Sequence, residues 1–392
     1  MSSKRSATQP PMPARAEHVR PPFDDGSTFR EEVRRFVERD IAPRVDAWER
    51  DASFPRGAVR ACGRRGYLAL DPARLAVMAE ELVRCDSMGV ALSVLVQGGL
   101  VAPLLERIGS AGQKQQWLAP LHAGRAIGAM AVTEPTAGSD FAALRTTATL
   151  KRVKGGDTLV LNGEKTYITC AAAADFLIVA ARVVDGRVTD SDLTLVVIPK
   201  AARGVRVTRL DTLGLGTTAM GRVTLRDCRV PATSVLGERG GGYGYILEAL
   251  DRERLYGGIG AVAWGQRALE KTAEFLRARR AFGRPVSRHQ AVRHQLADCA
   301  AALAAARQLN YVAYQVWTSG TRAAAMHHIA MVKLFSYREV QRAIELCLQL
   351  HGGLGYMADH WTSQWYRDAR ALTIAAGTPE VMRDLIAAQL RL

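Results

Sequence analysis

The sequence predicts an α+β chain of three modules: an N-terminal all-α domain, a central antiparallel β-barrel and a C-terminal four-helix bundle. Three observations carry this. Apolar residues recur at three- and four-residue spacing up to about residue 126. Short runs rich in Val, Ile, Leu and Thr, separated by turn residues, fill 127–238. Long helical periodicity then returns over 239–392. At 392 residues the chain exceeds what one core of ordinary size organises.

In chain order, residues 1–25 are rich in Ser, Arg and Pro without periodicity, the composition of a disordered tail. In 26–126, Phe29, Val33 and Phe36 mark one helix, and Leu75, Met78 and Leu82 another that stops at Asp86 and Gly89. Residues 90–108 are strongly apolar, and 111–121 form a short helix. Strands are expected at 144–150, 159–169, 176–184, 193–198, 205–210 and 223–230. Gly155-Gly156-Asp157, Asp185-Gly186 and Asn162-Gly163 have hairpin-turn chemistry. Strands this closely spaced, with no helix between them, favour an antiparallel barrel or sandwich. Beyond Gly240, Ile246 to Leu269, Leu296 to Val316, Val340 to Cys347 and the residues after Thr378 mark four helices with short breaks, the pattern of a bundle.

Composition narrows the function. With 48% apolar and 23% charged residues the chain is globular, and no uninterrupted apolar run reaches the roughly 18–20 residues of a membrane span. No secretory leader is evident, and the six cysteines are widely spaced, so free thiols, no metal and a cytoplasmic location are expected. A net charge of +15 favours anionic partners. The arginines are scattered and no nucleic-acid module appears, so nucleic acid is not expected. A phosphopantetheine thioester, or an acidic carrier protein bearing one, suits the charge equally well.

Specific motifs go further. Residues 131–140 read AVTEPTAGSD, where Gly138 and Ser139 can offer donors to a phosphate and Thr133 can reach the edge of a flavin ring. The same stretch also reads as a polar loop. Residues 162–169 read NGEKTYIT, 250–254 LDRER, 279–283 RRAFG followed by Gln290, 349–356 QLHGGLGY, 367–370 RDAR and 377–380 GTPE. In this order the motifs resemble the acyl-CoA dehydrogenase family, over about residue 27 to the C-terminus. The resemblance implies the acyl-CoA dehydrogenase fold and FAD, with Tyr167 and Thr169 beside the flavin; Tyr stands where Trp is frequent. It further implies that Arg279, Phe282, Gln290, Gln349, Gly352, Gly353, Thr378 and Glu380 serve the cofactor. Arg279, Gln349 and Gly353 would reach the FAD of a neighbouring subunit, hence a homotetramer or homodimer.

The implied chemistry needs a base for the proton α to a thioester carbonyl and a flavin to accept the β hydride. Most family members carry Glu just before the Gly-Thr pair; here that residue is Ala376. A minority branch, the isovaleryl-CoA dehydrogenase type, places the base just before the Arg of LDxER, which is Glu253. A carboxylate between Arg252 and Arg254 also reads as an ion-pair partner. The substrate set implied is Ser139, Asp251, Arg254 and Ala376, with the Ala376 N–H on the carbonyl oxygen. A second departure is the missing Pro/Gly-rich loop before the third helix: Tyr67 runs almost directly through Asp71-Pro72 into the next helix. The expected activity is α,β-dehydrogenation of a short or branched acyl thioester, on coenzyme A or a carrier protein, with electrons passed to an electron-transfer flavoprotein. An oxygen-using oxidase or hydroxylase on the same fold, possible in secondary-metabolite biosynthesis, is the alternative.

Overall fold

The computed structural model describes residues 21–24, 26, 28–152, 156–185 and 193–391. Most of the expected tail, and Gly155 and Gly186 of the expected turns, lie outside the described residues. Phe23, inside the expected tail, is buried edge-on against Tyr311 and Tyr314, with ring centroids at 5.4 and 5.1 Å.

The N-terminal domain comprises α1 (Phe29–Phe36), α2 (Val45–Arg50), α3 (Arg56–Arg64), α4 (Pro72–Glu81), α5 (Met88–Leu95), α6 (Ala102–Ile108), α7 (Ala111–Gln113) and α8 (Ala119–His122). Side-chain caps start several of them. Asp71 accepts the Arg74 N–H at 2.9 Å with Pro72 in the first turn of α4, and Ser87 accepts the Val90 N–H at 3.1 Å ahead of α5. A π turn over Val96–Val101 joins α5 to α6, so Met88–Ile108 is one helical stretch. By length and composition alone it is long and apolar enough to cross a membrane, a test that a buried core helix also passes. Small and polar residues interrupt its apolar run, and most of it is buried as the core helix of this domain. Gln97, fully buried on it, exchanges two hydrogen bonds with the backbone of Gly128 at 2.8 and 3.1 Å and so fastens the helix to the sheet.

The central sheet contains β1 (Gly128–Ala131), β2 (Thr147–Lys151), β3 (Thr158–Ile168), β4 (Phe176–Val184), β5 (Leu193–Pro199), β6 (Val205–Arg209), β7 (Gly221–Pro231) and β8 (Val235–Leu236). It is eight-stranded in the order β6-β7-β3-β2-β4-β5-β8, with β1 also on β4. The expected all-antiparallel pairing is corrected, and the expected closure is not seen. Among the described residues no pairing closes the sheet into a barrel, and β1 and β2 both run parallel to β4, so the sheet is mixed. The parallel pairs arise because the segment between β1 and β2 loops back to the other end of β4 rather than turning as a hairpin. Asn162-Gly163 is not a turn either. It lies within β3 at a bulge opposite β7, where Asn162 accepts the Asp227 N–H at 2.8 Å.

The C-terminal domain has three long helices, α9 (Gly242–Ala278), α10 (Gln290–Ser319) and α11 (Arg322–His351). In place of a fourth long helix it has two short ones, α12 (Trp361–Leu372) and α13 (Pro379–Gln389), both packed on α11. A tight hairpin of β9 (Arg280–Ala281) and β10 (Arg284–Pro285) joins α9 to α10. The α12 helix locks all three domains together. Trp365 Nε1 donates to the Asp86 carbonyl at 3.1 Å, and Asp368 accepts the Leu215 N–H at 2.6 Å. Gly214 permits this approach, since a Cβ there would fall 2.6 Å from the Arg367 backbone.

Candidate active site

The residues of LDRER, a little over two turns inside α9, form a charged cluster. Asp251 and Arg254 are buried, and Glu253 beside them is partly buried. Arg322 ion-pairs with Asp251 at 3.2 Å, and Arg254 approaches the other Asp251 oxygen at 3.5 Å. Burial raises the Asp251 carboxyl, against the pull of Arg254 and Arg322. Arg254 Nε donates to the Ala376 carbonyl at 2.7 Å. The chain passes Ala376 and Gly377 with φ of +57° and +106°. A Cβ on Gly377 would meet Met382 at 2.7 Å and Arg254 at 3.1 Å, so only glycine suits the second of these left-handed positions. Among the described residues the Ala376 N–H donates to no acceptor.

Glu253 itself forms no hydrogen bond or ion pair among the described residues. Burial pushes its carboxyl above the usual range, while the charges of Lys333 and Arg254 favour ionisation. Lys333, 4% exposed on α11, donates to the Leu372 carbonyl and lies 4.1 Å from the centre of the Tyr337 ring. Tyr337 in turn donates to the Arg254 carbonyl at 3.1 Å. Glu253, Asp251, Arg254 and Ala376, proposed separately from sequence, therefore belong to one cluster with Arg322, Lys333 and Tyr337.

A second cluster forms where the loop after β1 meets β3. Glu134 is buried and accepts from the Arg145 and Thr146 N–H groups, the Thr146 hydroxyl and Lys165 Nζ, all at 2.6–2.9 Å. Lys165 is fully buried and also holds the Val132 carbonyl at 2.9 Å. Burial works against both charges. Bonds from Thr146 and Lys165 nevertheless keep the Glu134 carboxyl below its usual range, whereas burial draws Lys165 down to about 8. The pair clamps the loop, and the Thr166 N–H adds a bond to the Thr133 carbonyl at 2.9 Å. A register shift in β3 between Lys165 and Ile168 breaks the side-to-side alternation, and Tyr167 takes φ +58° and faces outward, 65% exposed. Thr133 and Thr169 are partly exposed, Gly138 and Ser139 exposed. The Thr166 hydroxyl is buried without a partner. An aromatic wall with an orphaned donor and exposed hydroxyls around a rigid loop fits the edge of a flavin.

A third group lies at one end of the bundle. Phe275 near the end of α9 stacks on His351 at the end of α11, with ring centroids at 4.3 Å, so Arg279 and the Gln349, Gly352, Gly353 turn share that end. Phe282 sits on the hairpin tip at φ +51° and is 95% exposed; Arg279, Gln290, Gln349, Gly352 and Gly353 are exposed as well. No hydrogen bond, ion pair or ring contact among the described residues joins this group to the flavin-side loop. Thr378 caps α13 through the Val381 N–H, and Glu380 is exposed beside Arg383 at 3.4 Å.

Sequence reading missed Lys333, Tyr337, Arg322 and the Glu134–Lys165 pair. A lysine within a helix ordinarily reads as solvated, and only the packing of α11 reveals the burial of Lys333, whereas Arg322 stays exposed and is singled out only by its pair with Asp251. Glu134 and Lys165 lie inside the quoted motifs, so their spacing to Thr133 and Tyr167 was the available signal.

Comparison with known proteins accounts for nearly the whole chain. Residues 24–125, 129–228 and 240–391 match the families described as acyl-CoA dehydrogenase N-terminal, middle and C-terminal domains. A probable acyl-CoA dehydrogenase, YngJ, of Bacillus subtilis is 32% identical over 92% of this chain and 96% of its own length. The crystal structure of an acyl-CoA dehydrogenase from Geobacillus kaustophilus superposes with a TM-score of 0.87 at 31% identity, covering 93% of this chain and 97% of that one. The prolyl acyl carrier protein oxidase AnaB superposes with a TM-score of 0.85 at 26% identity, covering 93% and 98%.

Proposed function

Because the chain belongs to the acyl-CoA dehydrogenase family of FAD-dependent oxidoreductases, we propose that it desaturates the α,β bond of an acyl thioester with Glu253 as the base. FAD, when bound, supplies the acceptor for the hydride that leaves the β carbon. The observation that carries this reading is the pairing of Glu253 with Ala376. The usual base position holds no carboxylate, and the one carboxyl of the LDRER segment outside every ion pair sits on the helix whose Arg254 grips the Ala376 carbonyl. This is the base placement of the isovaleryl-CoA dehydrogenase type.

The remaining residues have roles that follow from their chemistry. With its carbonyl held by Arg254, Ala376 retains a free N–H, which we assign to the thioester carbonyl oxygen, where negative charge develops as the α proton leaves. Asp251 and Arg322 hold Arg254 in place. Thr133, Tyr167 and Thr169 flank the flavin, and Gly138 and Ser139 offer donors nearby. Arg279, Phe282, Gln290, Gln349, Gly352, Gly353, Thr378 and Glu380 serve the adenosine diphosphate half across a subunit boundary of a homotetramer or homodimer. The substrate is a short or branched acyl group on coenzyme A or a carrier protein, and an electron-transfer flavoprotein is the acceptor. The net charge of +15 suits either carrier.

Anaerobic titration of the FAD-loaded protein with short, branched and long acyl thioesters tests the reading. Wild type should bleach, and Glu253→Gln should bleach roughly 10²- to 10⁴-fold more slowly with FAD still bound. Bleaching of the variant at the wild-type rate would place the base elsewhere. The likeness to AnaB, by its description an oxidase, favours a second reading in which oxygen is the acceptor. Oxygen consumption during turnover without another acceptor would establish that reading.

A further inference from the structure

We propose that Asp368 is a positioning residue of the reaction: it joins the flavin wall to the turn that holds the thioester carbonyl, and so fixes the spacing between them. The inference rests on the desaturation reading and adds to it a residue that touches neither substrate nor cofactor.

The join runs bond by bond. Tyr167 and Thr169, assigned to the flavin wall, stand at the end of β3, and the next residue, Cys170, donates its N–H to the Thr218 carbonyl at 3.0 Å. The Ala172 N–H reaches the Ala219 carbonyl, also at 3.0 Å. Both acceptors belong to the loop between β6 and β7. Within it the Thr218 N–H and hydroxyl donate to the Leu215 carbonyl at 2.9 and 2.8 Å. The Leu215 N–H then donates to Asp368 at 2.6 Å. Asp368 lies on α12 one turn before Leu372, whose carbonyl Lys333 holds. Past that point the Ile374 and Ala375 N–H groups both donate to the Ala371 carbonyl at 3.0 Å, so the helix passes through one tight turn into Ala376. The route therefore begins at the flavin wall and ends at the N–H assigned to the thioester oxygen.

Two features distinguish this route from ordinary packing. Backbone strain concentrates along it. Of the ten non-glycine residues with positive φ among the described residues, Tyr167, Cys170, Leu215, Ala219 and Ala376 lie on it. Such conformations persist only where their surroundings over-determine them, and they gather at functional sites. The second feature is Asp368 itself. One oxygen takes the Leu215 N–H, and the other is buried with no partner. A half-satisfied carboxyl inside the protein costs stability, and an apolar side chain of similar size would avoid that cost. What the carboxyl supplies is a short, directed bond between two domains, each of which carries half of the site. An N–H that stabilises developing charge must stand close to its ideal place, and a shift of about 1 Å costs roughly 10²-fold in rate.

The test uses full-length, FAD-loaded protein and the thioester that reduces the flavin fastest. Stopped-flow flavin reduction gives the limiting rate and the half-saturating concentration for wild type, Asp368→Leu, Asp368→Asn and Thr218→Val. Asp368→Leu removes the acceptor and should lower the limiting rate roughly 10- to 100-fold. The half-saturating concentration should change less than about 3-fold, because the lost placement acts mainly on the transition state. Asp368→Asn keeps the acceptor and should restore the rate to within about 3-fold of wild type. Amide hydrogen exchange, which needs no turnover, should quicken in both 210–220 and 372–378 of Asp368→Leu. A wild-type limiting rate in Asp368→Leu, or quicker exchange in only one of the two segments, overturns the join. So does a parallel loss of FAD, affinity and rate that Asp368→Asn fails to restore. Thr218→Val loses one bond of the route and decides the matter if Asp368→Leu does not fold: its rate should fall, and a wild-type rate overturns the join. Absence of reduction by any thioester in wild type overturns desaturation itself, and this inference with it.

Discussion

Burial and charge pull Glu253 in opposite directions. Burial raises its carboxyl, Lys333 and Arg254 lower it, and the net position is above the ordinary carboxylate range. Lys333 is drawn down to about 7 by burial, with Glu253 opposing. A base must be ionised to take a proton, so kcat/KM falls as pH drops through the Glu253 pKa, and this acidic limb should lie above the usual carboxylate range. Lys333→Met removes a charge that favours the carboxylate, so the limb should move to higher pH. A pH profile of flavin reduction measures this, and a limb that stays put would exclude Lys333 as the charge that tunes the base. The proposal of Glu253 starts from sequence, where Ala376 empties the usual position. Lys333 was not legible there, because nothing local marks a helix lysine as enclosed until α11 is packed against α9 and the Leu372 carbonyl.

Among the elements, α12 carries a buried, half-satisfied carboxyl. One Asp368 oxygen accepts the Leu215 N–H while the other is buried without a partner, and burial raises the carboxyl to about 7. Glu49, itself raised by burial and bonded to Ser87 and Thr217, adds repulsion. The unfolded carboxyl titrates near about 4. The folded state thus holds the proton longer, and its stability falls as pH rises from that value through 7. Asp368→Asn keeps an acceptor for Leu215 and removes the titration. Its melting temperature should exceed that of wild type by more at pH 8 than at pH 5; an equal difference at both would show that Asp368 bears no buried charge. Elements differed in how visible they were beforehand. The expected 176–184 strand is β4 residue for residue, because its continuous apolar run is buried on both faces. The alanine-rich β1 and the two-residue β8 carry no such pattern. Sheet closure and strand direction depend on long-range pairing, to which local periodicity is blind.

Across the whole molecule, large apolar side chains stand exposed at one end of the bundle. Phe282 is 95% exposed on the hairpin, and Leu354 and Tyr356 are 50% and 79% exposed just past α11. Such a patch suits contact with another copy of the chain. Phe282→Asp should reduce both the particle mass in solution and the FAD retained per chain, read by light scattering and flavin absorbance. Full mass and full FAD would show that the hairpin makes no such contact.

The helical stretch Met88–Ile108 has a further consequence, in time rather than space. The tie between Trp365 and the residue just ahead of this helix spans 279 positions of sequence. At about 5–20 residues per second of synthesis, the ribosome delivers that tryptophan roughly 14–56 s after Asp86. For that interval the most membrane-like segment of the chain has emerged before the α12 helix that fastens it exists. A nascent chain halted before residue 361 should therefore be the form most dependent on chaperones.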